Sequence, residues 1–344
     1  ALTFSYPEFV AGVIAKFVNA STIDGYNPYR IGKDGIDWEI EEPEDPWSYI
    51  GYWGDHQIIY LEKLLELSRS FNPAGLSELL RRPVFSYANV PYRITSFAGL
   101  VENPKATVVY DAALDREIEA RVAQMGADGK LILDADGAVY QTNLAEKLLV
   151  PLLAKLANLV VDGGIWLNTQ RPEWNDANNA LVGYGISMVT LCYMRRYVGF
   201  LEAVLADETE AFDMSGEVSA WFDDTAAALK DVRGMLANGP LDDARRGKAL
   251  AELGEAASRY REKVYAQGGF SATTTRQPEL ILAMLEDARE IIDQSMASNL
   301  RPDGLYHAYN LIDLKDGSVG VDHLYPMLEG QVAALSAGTI PPAG

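Results

Sequence analysis

Between positions 171 and 179 the chain sets Arg171, Glu173, Trp174, Asn175, Asp176, Asn178 and Asn179 almost side by side, with Trp166 shortly before them. Carboxylates, carboxamides and a guanidinium bond hydroxyl groups as donors and acceptors, and an indole offers a flat apolar face to the C–H side of a pyranose. Such a segment suits sugar recognition, with a carboxyl group on hand to give or take a proton. A second reading is local: Asp176 or Asn178 could N-cap the helix that follows. A similar mixture recurs where Trp47-Ser-Tyr-Ile-Gly-Tyr-Trp-Gly-Asp-His-Gln57 runs into a helix, placing Trp53, Asp55 and His56 together. Upstream of it lie Asn27-Pro-Tyr-Arg30 and Asp37-Trp-Glu39, and far downstream Asp303-Gly-Leu-Tyr-His-Ala-Tyr-Asn310 and Glu329-Gly-Gln331. Two loops of acids and aromatics at separate helix ends, on a ring of helices, are expected to face each other across one cleft.

Other chemistries find no support in the spacing. His307 and His323 stand sixteen apart without ligand spacing around them, so no metal site is expected. Phosphate-cradling glycine loops and the nucleophile-elbow motif are absent, and the 176–179 run lacks the order of a calcium loop. The one cysteine, Cys192, continues an apolar run and reads as a buried structural thiol.

The elements that must position these loops are mostly helical. Apolar periodicity predicts helices over 6–20, 56–70, 111–125, 143–161, 180–206, 215–238, 241–267, 277–299 and 325–336, with a short one after Pro73. Asn143 reads as a cap whose Glu146 closes a capping box, and Pro151 as a kink. Residues 21–52, 163–179 and 302–324 read as loops, and a hairpin joins 130–133 to 138–142 inside an insertion spanning about 105–142. The fold class is therefore mainly α, a single domain over 1–344 with no clear internal linker. No stretch is apolar over the length a membrane span needs. The chain has 344 residues and a formal net charge of −20, which repels phosphate backbones and anionic lipid. Expected partners are accordingly a neutral glycoside or oligosaccharide, with no nucleic acid and no membrane. With no signal peptide visible, a cytoplasmic location is expected, although a first residue of Ala rather than Met reads as a processed product or a piece of a longer protein.

Arg171-Pro-Glu-Trp-Asn-Asp-Ala-Asn-Asn179 resembles the D-W-N-D-G-M-N segment of inverting disaccharide phosphorylases such as cellobiose and chitobiose phosphorylase. Tyr52-Trp-Gly-Asp-His-Gln57 is similar to their S-D-D-H-L-W segment, and 304–309 and 330–336 to two later ones, the order of the four being kept. Helical-barrel glucosidases and trehalases carry comparable Trp–Asp loops. The resemblance implies an (α/α)6-barrel-like helical toroid, here short of twelve helices, and glycosyl transfer with inversion. It assigns Asp176 the part of general acid. Trp53, Asp55, His56, Arg171, Glu173, Trp174 and Asn175 would bind substrate. Two departures stand out: Ala177 replaces the glycine after the acid, and the phosphate-binding P-P-G-x-R-E-N-G segment has no counterpart.

A hydrolase on this plan needs a second carboxylate as base, for which Glu329 is the first candidate and Glu39 and Asp37 are reserves. No cofactor is required; inorganic phosphate would be a co-substrate if the enzyme is a phosphorylase. Arg30, Arg171 and Arg301 are few for that task, so hydrolysis is placed ahead of phosphorolysis. The other readings are a non-catalytic sugar-binding domain or pseudoenzyme, a sugar epimerase, with His56 and His307 both at the pocket, and a polysaccharide lyase, which the acidic surface opposes.

Overall fold

The computed structural model describes residues 5–27, 30–32, 35–40, 42, 44, 50–52, 56–169, 181 and 183–340, with the side chains of Arg30 and His56 set aside. Eleven α-helices occur among these residues, so the chain is mainly helical. A 3-10 turn, Pro7–Phe9, leads into α1 (Val10–Asn19), and the hairpin of β1 (Arg30–Gly32) and β2 (Gly35–Asp37) follows. Next come α2 (His56–Phe71), α3 (Pro73–Leu79), β3 (Tyr92–Ile94), α4 (Phe97–Glu102), β4 (Val108–Tyr110), α5 (Ala112–Met125) and α6 (Leu144–Leu156). The second half runs β5 (Leu159–Val160), β6 (Gly164–Trp166), β7 (Gly185–Ser187), α7 (Met188–Leu205), β8 (Phe212–Ser215), α8 (Gly216–Leu236) and α9 (Asp243–Gln267). It closes with β9 (Thr273–Arg276), α10 (Pro278–Ser298), β10 (Tyr309–Lys315), β11 (Ser318–His323) and α11 (Leu328–Ser336). No helix of the described residues is long and apolar enough to cross a membrane.

At the centre of the packing, every residue of α6 is buried, including Glu146, Lys147 and Lys155. Charges enclosed in this way need partners, because an unpaired buried charge is costly. Glu146 accepts from the Tyr87 hydroxyl at 2.8 Å and from the Ser215 amide at the cap of α8. The Lys147 ammonium donates to the Ser21 carbonyl at 3.3 Å and lies 3.3 Å from the centre of the Tyr87 ring. Lys155 sits 4.3 Å from the centre of the Tyr26 ring. Burial holds the Lys147 ammonium well below the usual lysine range and pushes the Glu146 carboxyl up, against the bonds it accepts from Ser215 and Tyr87. The segment 21–26 is thus drawn against α6. Gly25 makes that approach feasible: its φ is +84°, and a Cβ there would meet the Val150 carbonyl oxygen and the Ala154 methyl at 2.7 Å.

Several expectations need correction. Residues 21–52 hold the short β1–β2 hairpin rather than irregular chain throughout. The predicted helix over 143–161 ends at Leu156, because Leu159–Val160 turns into a strand. Asn143 does cap it, accepting from the Glu146 amide at 3.0 Å, but the Glu146 carboxylate turns to Tyr87 and Ser215, so the box is half formed. The helix predicted over 180–206 begins at Met188, after strand β7. The hairpin expected over 130–142 forms only isolated bridges, Leu133 to Val139 and, outward, Leu131 to Ala88 and Thr142 to Phe85. The 302–324 loop is instead largely the β10–β11 hairpin, in register from Asn310 opposite His323 to Lys315 opposite Ser318 at the turn.

Replacing Gly25 by Ala is expected to lower stability by more than about 1 kcal/mol, since the new methyl meets backbone in a left-handed conformation. A urea midpoint unchanged from the parent would contradict the close approach of this loop to α6.

Candidate functional site

The densest motif hangs from a hairpin. Strands β6 and β7 pair antiparallel, Ile165 opposite Ser187 and Trp166 opposite Ile186, and the motif lies between them in sequence. The two strand ends are pinned together. Leu167 donates its amide to the Gly185 carbonyl at 2.8 Å, and the Trp166 indole donates to the Gly183 carbonyl at 2.8 Å. Trp166 is therefore a buried clamp between the two strand ends.

The third and fourth motifs join the same sheet, whose strand order is β11-β10-β7-β6-β5. Strand β10 lies beside β7, with Tyr309 opposite Ser187, and Met188 donates its amide to the Ala308 carbonyl at 3.0 Å. Leu167, Leu181, Ala308 and Tyr309 form a small buried cluster, closed by Leu324 and Met327. The Gln331 carboxamide then treats Tyr306 as a strand partner, accepting from its amide and donating to its carbonyl, both at 2.8 Å. Gly330 lets α11 lie directly on this segment, since a Cβ there would come within 2.8 Å of the Ala308 methyl.

The first motif is tied in by backbone. Tyr52 donates its amide to the Thr169 carbonyl at 3.1 Å, so the residue before Trp53 and the residue before Gln170 are directly bonded. Tyr52 is fully buried, stacked on Tyr26 at 5.3 Å and edge-on to Tyr92 at 5.4 Å. Its hydroxyl donates to the Asp24 carboxylate at 3.1 Å, which also accepts from the Tyr265 hydroxyl. Burial pushes the Asp24 carboxyl up, while Tyr265, Arg261, Arg93 and Tyr52 draw it back. On the other side, Asn158 donates to the Tyr26 hydroxyl at 3.2 Å and accepts from Asn168 at 2.8 Å, carrying the network to the root of the second loop.

Of the expected site residues, Asp176, Arg171, Glu173, Trp174, Asn175, Trp53 and Asp55 lie outside the described residues. His56 opens α2, and Glu329 is half-buried in the first turn of α11. Glu39 is held near the first motif, its backbone exchanging bonds with the Tyr92 hydroxyl, which Tyr92 makes while packed on Tyr52. Asp37 faces Lys130 at 3.9 Å on the β1–β2 side. His307 stacks on His323 at 4.0 Å with rings 8° from parallel. Asn310 donates from Nδ2 to the Gly163 carbonyl and to Asn299 Oδ1, so its own Oδ1 must accept from His323 Nδ1, at 2.8 Å. Burial and His307 keep the His323 imidazole below its usual range. No group of three or more metal-ligating side chains occurs among the described residues. The Arg301 guanidinium is engaged by Asp303 at 2.8 Å. Cys192 is buried as expected, and burial pushes its thiol up to about 12.

No family model and no curated protein sequence matches this chain. Asp24, Tyr26 and Tyr265, which hold the first two motifs together from below, escaped the reading of the sequence. The signal there was Asp24-Gly25, a few residues past the predicted helix 6–20, an ordinary turn pattern.

Helix α2, which starts at the first motif, carries a further buried acid. Glu62 is 1% exposed, and its nearest cation is Arg196 at 3.4 Å, itself held by Glu66 at 2.7 Å. Burial pushes the Glu62 carboxyl up from 4.5 to about 8, against the pull of Arg196. The folded state therefore holds this proton more tightly than the unfolded chain does. Its contribution is complete below about pH 4.5 and is lost as the pH rises through about 8. Relative to Glu62→Gln, wild-type melting temperature is expected to fall progressively from pH 5 to pH 8.5. A constant offset between the two proteins over that range would contradict the assignment.

Proposed function

We propose that this chain is a carbohydrate-active enzyme that cleaves a glycosidic bond with inversion, Asp176 protonating the departing oxygen. The observation that carries the reading is the joining of stems. The four segments that resemble the disaccharide phosphorylases, scattered over most of the sequence, are linked by the Tyr52–Thr169 backbone bond, the β6–β7–β10 pairing and the Gln331–Tyr306 pair. Loops that share roots in this way are set to share a cleft. The mainly helical body agrees with an (α/α)-toroid, the architecture the resemblance implies.

In this mechanism Trp53, Asp55, His56, Arg171, Glu173, Trp174 and Asn175 hold the glycosyl unit. Asp176 must then carry a proton near the working pH, which a cleft closed against water favours by disfavouring the charged carboxylate. The base that activates water is Glu329, on the helix that Gln331 docks to the third segment. Inverting hydrolysis requires the two carboxyl groups about 6.5–9.5 Å apart, leaving room for a water opposite the leaving group. Hydrolysis is favoured over phosphorolysis because Arg301, one of the few cations near these segments, is already paired with Asp303. No cofactor enters the reaction.

The test is release of reducing sugar from α- and β-linked disaccharides, with and without inorganic phosphate. Phosphate-independent release with an inverted anomer is expected. Asp176→Asn is expected to lower kcat by about 10²–10⁴-fold, with sugar affinity changed by no more than a few-fold. Turnover unchanged by this substitution would remove Asp176 from the role. Formation of a sugar phosphate would replace hydrolysis by phosphorolysis, and no turnover of any glycoside would overturn the enzyme reading.

A further inference from the structure

Buried polar atoms without partners are uncommon in folded proteins, and each calls for an explanation. Gln57 stands out among the described residues: it is 3% exposed, and neither its amide nitrogen nor its amide oxygen has a hydrogen-bonding partner. It is the second residue of α2, next to His56 and directly after the segment 53–55. Two further carboxamide oxygens are likewise buried and unpartnered, those of Asn27 and Asn168, whose residues are 4% and 6% exposed. Their nitrogens are committed, Asn27 to the Phe17 carbonyl and Asn168 to Asn158. Asn27 and Asn168 adjoin Tyr26 and Thr169, which are joined through Tyr52, and Gln57 stands five residues after Tyr52 in sequence.

We infer that Gln57 is a substrate-binding residue whose carboxamide reads a vicinal pair of hydroxyl groups on the glycosyl unit. The amide oxygen accepts from one hydroxyl while the amide nitrogen donates to the next, using both open functions at once. A carboxamide sequestered from bulk solvent with both functions open lowers stability, a cost that binding of a diol recovers. Leu occupies the corresponding position of the motif quoted above, so an amide here is a property of this chain and not a demand of the helix. The open oxygens of Asn27 and Asn168, able only to accept, would favour the same kind of ligand, one rich in hydroxyl donors. This inference rests on the proposed carbohydrate function and names a contact that the resemblance does not supply.

Gln57→Met keeps the length of the side chain and removes both polar atoms. Binding of cellobiose, maltose and trehalose by titration calorimetry, alongside melting temperature, separates the alternatives. For whichever of these sugars the wild type binds, the variant is expected to bind roughly ten- to a hundred-fold more weakly while melting at the same or a higher temperature. Gln57→Glu, which retains acceptors and loses the donor, is expected to fold and to fall between the two. Unchanged affinity in Gln57→Met would overturn the inference, with an ordered water as the amide's only guest, and leave the proposed function standing. A fall in both affinity and melting temperature would mark Gln57 as a structural group and overturn it as well. If the wild type binds none of the three sugars and turns over no glycoside, the functional reading fails and the inference falls with it.

Discussion

Helix α6 imposes the constraint on which the other features depend. All of its side chains are enclosed, yet it carries a carboxylate and two ammonium groups. These groups are satisfied only if particular pieces of the chain wrap around it: Tyr87 and the start of α8 at Glu146, Ser21 and Tyr87 at Lys147, Tyr26 at Lys155. Replacing a partner such as Tyr87, which serves both Glu146 and Lys147, weakens the satisfaction of buried ionisable groups, a costly kind of interior substitution. The pairing therefore selects one arrangement of the wrapping segments over other compact ones. Gly25 lets the 21–26 segment approach the helix backbone closely enough for the arrangement to close.

From that constraint the candidate site follows in steps. Tyr26, held over Lys155, stacks on Tyr52; Tyr52 bonds Thr169; and Thr169 lies between strands β6 and β7, which pair with each other. Strand β10 and helix α11 then attach to that same sheet through Ala308 and Gln331. The described residues flanking the first two motifs thus lie on short strands and buried aromatic rings, rigid elements of the kind that hold functional side chains in fixed relation. Asp24 accepts from two tyrosine hydroxyls and binds the 21–26 turn to α9 through Tyr265.

Much of the helical body was legible because its signals are local. The caps at Asp111, Asn143, Ser215 and Asp242 lie where polar residues precede apolar periodicity, and each accepts from an amide in the first turn that follows. Apart from the β-like run at 107–110, which holds strand β4, the strands were not legible, for two physical reasons. They are two to seven residues long, and most of their partners are distant in sequence, as with Tyr309 and Ser187. Strand β7 was also masked by its neighbour: Gly185-Ile-Ser187 runs without punctuation into the apolar start of α7, so helical periodicity absorbs it. The motif residues announced themselves by composition, since acids beside tryptophans are conspicuous. Their supports did not. Tyr26, Gln57 and Asn168 are ordinary residues in sequence, and their roles exist only through burial and through bonds made or left open in three dimensions.

The central claim is that four separated segments build one sugar site on shared roots. Hydrogen exchange followed by mass spectrometry, with and without the disaccharide that the cleavage assay selects, tests it most directly. Simultaneous slowing of amide exchange is expected in residues 50–58, 163–187, 303–310 and 328–334, with the surface of α5 unchanged. Protection confined to one of these segments, or spread evenly over the whole chain, would contradict it.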